Sequence, residues 1–300
     1  MRIMLLGDSL SLPRWKVSFA KSADLELEVP FEQTYPVLLH RALEDLYPER
    51  DVFVINRAKR ACEIGHIFEE LGDHMYTYQP DLIVLQTGLV DCLPRKERGG
   101  RQKVPIEPFA DFYGRILTDV HHKPDVKLAV LGICPGSERV YARLPGFEAA
   151  IAQYNEVLAR GADGREVFFV DMARHFDPRA PERYHALDDQ HLNRAGHRLF
   201  FSELLPLAQS LVENRSGCAA YADDPKRAHA HFVRALKAYP ANLSALYNAL
   251  FSAFELGDRD GVVEWRARAQ AERHGDRALD ALVGAVAALP ATSTSRSATT

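Results

Sequence analysis

Short apolar runs alternate with stretches of helical periodicity along most of the chain, and this alternation constrains the fold more than any other feature. Each run is bounded by charged residues, glycine or asparagine, which is typical of a buried strand. The runs are Ile3–Leu6, Val52–Ile55, Leu82–Leu85, Leu128–Leu131 and Val167–Val170. Helical spacing of apolar residues covers Tyr35–Leu46, Ile64–Tyr76, Pro108–His121, Ala149–Leu158 and Asn193–Leu211. The pattern predicts an α/β fold of three layers, in which helices cover both faces of a parallel five-stranded sheet.

A different organisation is predicted beyond Asp223, where helical segments follow one another without strands. Ala235 and Ala269 occupy similar helical contexts 34 residues apart, and that spacing is the period of tetratricopeptide repeats. We therefore predict three parts: an α/β domain over 1–215, a small all-α, tetratricopeptide-like region over 222–290, and a disordered tail over 291–300. Because so few repeats seldom stand alone, the helical region is expected to pack on the main domain, on a second copy in a homodimer, or on a protein partner.

The charge balance and the cysteine content indicate which binding partners and which cellular compartment to expect. The chain has 37 Lys and Arg against 41 Asp and Glu, a net charge of -4, so neither nucleic acid nor a membrane surface is expected as a partner. Its 4 cysteines lie far apart without a Cys-x-x-Cys pair, which argues against a zinc site and a disulfide framework. The first apolar run is too short for a signal peptide. We expect a cytoplasmic protein without a metal or other cofactor.

Candidate catalytic residues follow the first strand and precede the last helix of the α/β region. Ligands in such folds bind beyond the carboxyl ends of the strands. Ser9 occupies such a position, in Gly7-Asp8-Ser9-Leu10, where its hydroxyl can project beside free backbone N–H groups. The tetrapeptide also fits a simple turn or helix cap. Asp188 and His191 share one later loop, so the carboxylate can orient the imidazole toward Ser9.

Together these two segments resemble the SGNH, or GDSL, hydrolase superfamily over roughly residues 1 to 213. The resemblance implies a flavodoxin-like sheet, hydrolysis of lipid, glycan or small-molecule esters, and a catalytic triad of Ser9, His191 and Asp188. It also implies an oxyanion hole built from the serine N–H, a glycine N–H after the second strand and an asparagine side chain after the third. The second of these positions is Ala61 in this sequence, and the third is Val90.

Both of those positions depart from the superfamily pattern. Ala61 still offers a backbone N–H, so Ser9 and Ala61 are the expected oxyanion donors. Val90 cannot donate through its side chain, and the loss of one oxyanion donor typically costs about 100-fold to 1,000-fold in rate. Thr87, Asn56 or a nearby arginine are candidates to replace that donor. Asp8 and Asp91 are interpreted as structural residues that close turns near the site.

Three arginines follow strands on the same side of the predicted sheet, namely Arg14, Arg57 and Arg95. Guanidinium groups present paired donors to carboxylates and phosphates. With Gly88 and Val90, these arginines are our candidate substrate-binding residues, and they suggest an anionic ester such as an O-acylated acidic sugar. Each of them also fits a solvated loop position equally well.

Three functions are compatible with these residues. The first is a serine esterase acting on small acyl esters of a glycan or metabolite. The second is an O-acyltransferase with the same triad, in which an alcohol replaces water as the acceptor. The third is a non-catalytic module that binds an anionic ligand, favoured by Val90 but opposed by the joint presence of Ser9, Asp188 and His191.

Overall fold

The computed structural model describes residues 1–15, 27–271 and 275–288. Within these ranges the strands are β1 (Arg2–Gly7), β2 (Arg14–Trp15), β3 (Leu27–Val29), β4 (Phe53–Asn56), β5 (Leu82–Gln86), β6 (Pro94–Arg95), β7 (Arg101–Gln102), β8 (Lys127–Leu131) and β9 (Val167–Val170). The α-helices are α1 (Tyr35–Leu46), α2 (Ile64–Tyr78), α3 (Leu89–Cys92), α4 (Ile106–His121), α5 (Glu138–Arg143), α6 (Phe147–Ala159), α7 (Arg194–Ala220), α8 (Pro225–Ala238), α9 (Leu243–Glu255), α10 (Arg259–Ala271) and α11 (Arg277–Ala288).

The five long strands form one parallel sheet in the order β4-β1-β5-β8-β9. The chain leaves β1 to add β4 on one side and then returns to add β5 on the other. That reversal is the topological switch point at which flavodoxin-like folds bind their ligands. The predicted five-stranded α/β sheet is therefore confirmed, and the end of β1 is the expected site. Two antiparallel pairs, β2 with β3 and β6 with β7, lie outside this sheet.

Both faces of the sheet are buried, which explains why its strands are continuous apolar runs. On one face Met4, Leu6 and Ile83 pack with apolar side chains of α2, α4 and α6. The residues that alternate with them, such as Leu5 and Val84, are fully buried as well. Helix α1 lies next to β4, and its Tyr35 ring contacts Phe200 of α7 with centroids 5.3 Å apart.

The chain divides into two compact units at Pro206 and Leu207, within α7. The second unit contains helices only, and its core comprises Ala228, Phe232, Ala235, Leu236, Leu243, Ala245, Leu246, Ala249, Leu250, Ala253, Trp265, Ala269 and Leu279. Consecutive helices from α8 to α11 contact one another. The tetratricopeptide-like assignment and the partner of these helices stay predictions, and the predicted tail 291–300 lies outside the described residues. No described helix is both long and apolar enough to span a membrane.

Candidate active site

Ser9 lies at the carboxyl end of β1, in a short turn whose geometry is set by its neighbours. Gly7 passes so close to β5 that a Cβ would collide with the backbone oxygen of Gln86. Asp8 then caps the turn Ser9–Ser11, because its Oδ1 accepts the N–H of Leu10 at 2.9 Å. The Asp8 N–H in turn donates to Oε1 of Gln86 at 3.3 Å. The turn therefore holds a half-buried Ser9 at the switch point of the sheet.

The structure brings Ser9, His191 and Asp188 into one hydrogen-bonded row. Oγ of Ser9 lies 2.7 Å from Nε2 of His191, and Nδ1 of His191 lies 2.8 Å from Oδ2 of Asp188. The other carboxylate oxygen of Asp188 accepts the backbone N–H groups of His191 and Gln190. This is the connectivity that a nucleophile, a general base and an orienting carboxylate require.

Asn193 ends the loop that contains Asp188 and His191, and it caps the next helix, α7. Its Oδ1 accepts the N–H of Gly196 at 2.9 Å, and its amide donates to the carbonyl oxygens of Glu182 and His185. A short antiparallel bridge joins His185 to Leu192. The loop is thus fixed at its base, immediately before α7 begins.

Arg14 was predicted to bind substrate, and the structure gives it a different partner. Its Nη2 donates to Oδ2 of Asp188, the oxygen that also faces His191. Burial alone would raise the pKa of the Asp188 carboxyl, but hydrogen bonds from His191 and the charge of Arg14 hold that pKa well below its usual range. Arg14 therefore places a positive charge beside the Asp188 carboxylate, and its predicted contact with substrate stays a prediction.

Arg57, the second of the predicted substrate-binding arginines, contacts residues of α2. Its Nε donates to Nε2 of His74 at 3.3 Å, and its guanidinium lies over the Tyr78 ring at 5.6 Å from the centroid. Both partners belong to α2. Arg95 lies half-buried in β6.

Gly88 and Val90, the other two predicted substrate contacts, lie at the start of α3. Gly88 has φ of 103°, and a Cβ there would approach Cγ1 of Ile133 to 3.0 Å, so only glycine fits. Its N–H is already used, since it donates to Oδ2 of Asp91 at 3.1 Å. Val90 is half-buried in the first turn of the helix.

Two backbone N–H groups near Ser9 remain available as oxyanion donors. The loop after β4 is tied to the nucleophile turn, because the N–H of Lys59 donates to the carbonyl of Gly7 at 2.9 Å. Within the described residues, neither the Ser9 N–H nor the Ala61 N–H donates to a protein acceptor. Ala61 has φ of 57°, so it keeps the left-handed conformation that glycine would adopt there.

The proposed replacements for the third donor are engaged elsewhere. The Asn56 amide donates to the carbonyl of Ser11 at 2.8 Å and accepts the N–H of Ala58 at 3.0 Å. The Thr87 hydroxyl donates to Oδ2 of Asp91 at 3.4 Å. Both side chains thus have protein partners, and the replacement of the third donor stays open.

Comparison with known proteins identifies the family. The family model of GDSL-like lipases and acylhydrolases matches residues 5–199, about two thirds of the chain. The chain belongs to this family. It is accordingly an SGNH-type carboxylic ester hydrolase, and the resemblance read from its sequence is confirmed. No curated protein sequence matches the chain significantly.

Solved structures of other proteins share the fold of this GDSL hydrolase. An α/β hydrolase from the metagenome of Lake Arreo, Spain, is 18% identical, with a TM-score of 0.52 over 68% of this chain and 93% of its own. A variant of an acetyl xylan esterase from Geobacillus stearothermophilus gives 18% identity and a TM-score of 0.52 over 68% and 92%. A lipase/acylhydrolase from Enterococcus faecalis gives 16% identity and a TM-score of 0.51 over 68% and 94%.

Two buried carboxyl groups, those of Asp8 and Asp91, lie in the segments that follow β1 and β5 of this GDSL hydrolase. Asp91 is fully buried and accepts the N–H of Ile64 at 2.9 Å, which links the loop after β5 to the start of α2. Asp8 is buried beside Ser9. Burial raises the pKa of each carboxyl to about 6. Their contacts agree with the structural role that the sequence predicted for both residues.

The cysteines near the site of the GDSL hydrolase are poor nucleophiles. Cys92 and Cys134 are both buried. Burial raises the pKa of each thiol well above its usual value, and the protonated thiol is unreactive. Ser9 is therefore the better candidate nucleophile in this region.

One group of potential metal ligands lies near the amino end of β9, whereas Ser9 follows the carboxyl end of β1. The ligand atoms of His121, Asp163 and Glu166 lie within 4.8 Å of one another. Oδ1 of Asp163 already accepts three backbone N–H groups in the turn that leads into β9. That turn accounts for the position of the carboxylate.

Proposed function

We propose that this chain is a serine esterase that removes small acyl groups from sugars or small alcohols, with Ser9 as nucleophile, His191 as general base and Asp188 as orienting carboxylate. The observation that carries the proposal is the row in which Ser9 Oγ lies 2.7 Å from His191 Nε2. Asp188 continues that row at 2.8 Å from Nδ1. A proton can pass along the first contact without any large movement of a side chain.

The reaction would proceed in two stages. His191 accepts the Ser9 proton at Nε2 while the serine oxygen attacks the acyl carbonyl, and Asp188 stabilises the imidazolium that forms. The free N–H groups of Ser9 and Ala61 are the donors that would face the developing oxyanion. His191 then returns the proton to the leaving alcohol. In the second stage a water molecule, deprotonated by His191, attacks the acyl-enzyme and releases the acid.

The family and the charges around Ser9 support the proposed substrate class. One protein that shares the fold is an acetyl xylan esterase, which makes O-acetyl sugars the first class to test. The arginines that suggested an anionic alcohol have other partners, Arg14 on Asp188 and Arg57 on α2. The proposal therefore does not require a negative charge on the alcohol.

The test is hydrolysis of 4-nitrophenyl acetate and of an acetylated oligosaccharide by the wild type, Ser9→Ala and His191→Gln. We expect kcat to fall by about 10⁴-fold to 10⁶-fold in either variant, the range found when members of a serine triad are removed. Ser202→Ala is the matched control, because its hydroxyl donates to the carbonyl of Leu199 within the same helix. Turnover that survives in Ser9→Ala would contradict the proposal. Free acid as product, with a sugar acceptor present, would support hydrolysis over transfer.

A further inference from the structure

Asp189 lies between the two proposed triad residues of its loop and has an unusual environment. It is 5% exposed, and its φ of 60° places it in the left-handed region. Aspartate tolerates this conformation better than most residues, but it still costs about 1 kcal/mol or more. A buried carboxylate in a costly backbone conformation persists only where its surroundings hold it there.

The surroundings of Asp189 are the first turn of α5, which follows β8. Its Oδ2 accepts the Ser137 hydroxyl at 2.8 Å and Nε of Arg139 at 2.9 Å, while its Oδ1 accepts Nη2 of Arg139 at 2.8 Å. Ser137 is itself fixed, because its Oγ caps α5 by accepting the N–H of Val140 at 3.2 Å. Asp189 is thus clamped by a two-pronged guanidinium and a hydroxyl that already belongs to a helix cap.

A second contact joins the same two segments of chain. Nε2 of His185 lies 2.8 Å from the carbonyl oxygen of Pro135, two residues before Ser137. Inside the loop, the Ala186 N–H donates to the carbonyl of His191 at 2.7 Å, and the Asp189 N–H donates to the carbonyl of Ala186 at 2.9 Å. The loop is therefore a small closed ring attached to the β8–α5 connection at two points.

The two partners of the ion pair between Arg139 and Asp189 differ in exposure, and this difference suggests that the pair positions the loop more than it stabilises the fold. The Arg139 side chain is 73% exposed, whereas that of Asp189 is 7% exposed. An exposed arginine gains little net stability from a salt bridge. A buried carboxylate that loses its cation, however, must move toward water or take up a proton. Movement of Asp189 would carry its neighbour Asp188 with it, and with Asp188 the ring of His191.

We propose that Asp189 is a positioning residue, clamped by Arg139 and Ser137, that sets the approach of His191 to Ser9 through the backbone it shares with Asp188. The inference rests on the proposed triad. Its chemical consequence is specific: the clamp contacts no reacting atom, so it acts on kcat through geometry, and a displacement of about 1 Å can cost about 100-fold in rate.

The experiment compares Arg139→Gln, Arg139→Lys and Arg143→Gln with the wild type. Arg143 lies one turn further along α5, and its Nε donates to the carbonyl of Arg139 rather than to Asp189, so Arg143→Gln is the matched control. For each variant, kcat and KM for 4-nitrophenyl acetate are determined separately, below the onset of unfolding measured by circular dichroism. We expect kcat to fall by roughly 10-fold to 100-fold in Arg139→Gln with KM within about 3-fold.

The lysine variant and the control separate positioning from a loss of folded protein. Arg139→Lys should recover part of kcat, because an ammonium can still neutralise the buried carboxylate although it cannot form both hydrogen bonds. Arg143→Gln should match the wild type. A fully folded Arg139→Gln with wild-type kcat, while the wild type is active, would overturn this inference alone. A folded wild type without esterase activity would overturn the proposed function and this inference together.

Discussion

Replacing Arg14 by glutamine is expected to move the acid limb of the pH–rate profile to higher pH. Arg14 donates to Oδ2 of Asp188, the oxygen that also faces His191. Its positive charge therefore opposes the arrival of a further proton on the Asp188–His191 pair. When the charge is removed, the pair binds that proton more readily, so activity is lost at a higher pH on acidification.

The size of the effect follows from the distance between the two cations. Two nitrogen donors on one carboxylate oxygen stand about 5 Å apart. At that distance two unit charges repel by about 0.8 kcal/mol in the dielectric of water and by about 3 kcal/mol at an effective dielectric constant near 20. The side chains of Arg14, His191 and Asp188 are 15%, 22% and 28% exposed, which favours the lower half of that range. The expected displacement is about one pH unit.

The assay is kcat/KM for 4-nitrophenyl acetate across the acid range at constant ionic strength, since salt screens such interactions. Arg60→Gln is the matched control: its guanidinium donates to the carbonyl of Pro13, next to Arg14 in sequence, and not to Asp188. The control should keep the wild-type profile. An acid limb in Arg14→Gln that coincides with that of the wild type, or lies at lower pH, would refute the reasoning.

Three further predictions concern stability and are all measured by urea unfolding. Ala61→Gly should raise the free energy of unfolding by up to about 1 kcal/mol, because alanine at a φ of 57° is strained and the added freedom of unfolded glycine offsets only part of the relief; a loss would contradict this. Burial raises the pKa of Asp8 from 3.8 to about 6, so the folded protein binds this proton more tightly than the unfolded chain, and the free energy of unfolding falls as the pH rises through this window. Asp8→Asn should remove up to roughly 3 kcal/mol of that fall, and an equal pH dependence of stability in the wild type and the variant would count against it. Asp91→Ala should cost about 2 to 5 kcal/mol, because it leaves the N–H groups of Ile64 and Gly88 without an acceptor; a loss below about 1 kcal/mol would show that water replaces the carboxylate.

The main sheet could be predicted because its signals are local. A strand buried on both faces must be apolar throughout, so the run Leu82–Leu85 defines β5 almost to its last residue. The end of α7 could not be predicted in this way. The helix continues past Leu211 to Ala220, where Gly217 lies against the Phe232 ring of α8. That contact joins residues of two helices, and neither segment carries a local signal of the other.

In the site, too, features with a local sequence signal could be predicted, whereas contacts between residues distant in sequence could not. Ser9 and the Asp188–His191 loop were found because each follows or precedes a recognisable element within a few residues. The partners of Arg14 and Arg57 depend on which carboxylate or ring the folded chain brings near them, 174 and 17 residues away in sequence. The clamp on Asp189 spans 50 residues. A basic residue after a strand predicts its own position but not the direction in which its side chain points.

The most direct test of the central claim is intact-mass spectrometry of the wild type and Ser9→Ala after treatment with a fluorophosphonate probe. The probe reacts with an activated serine and needs no knowledge of the substrate. We predict one adduct on the wild type and none on Ser9→Ala, which would establish Ser9 as the nucleophile held by His191 and Asp188. A folded wild type that stays unlabelled, or an adduct that persists in Ser9→Ala, would contradict the assignment of that nucleophile.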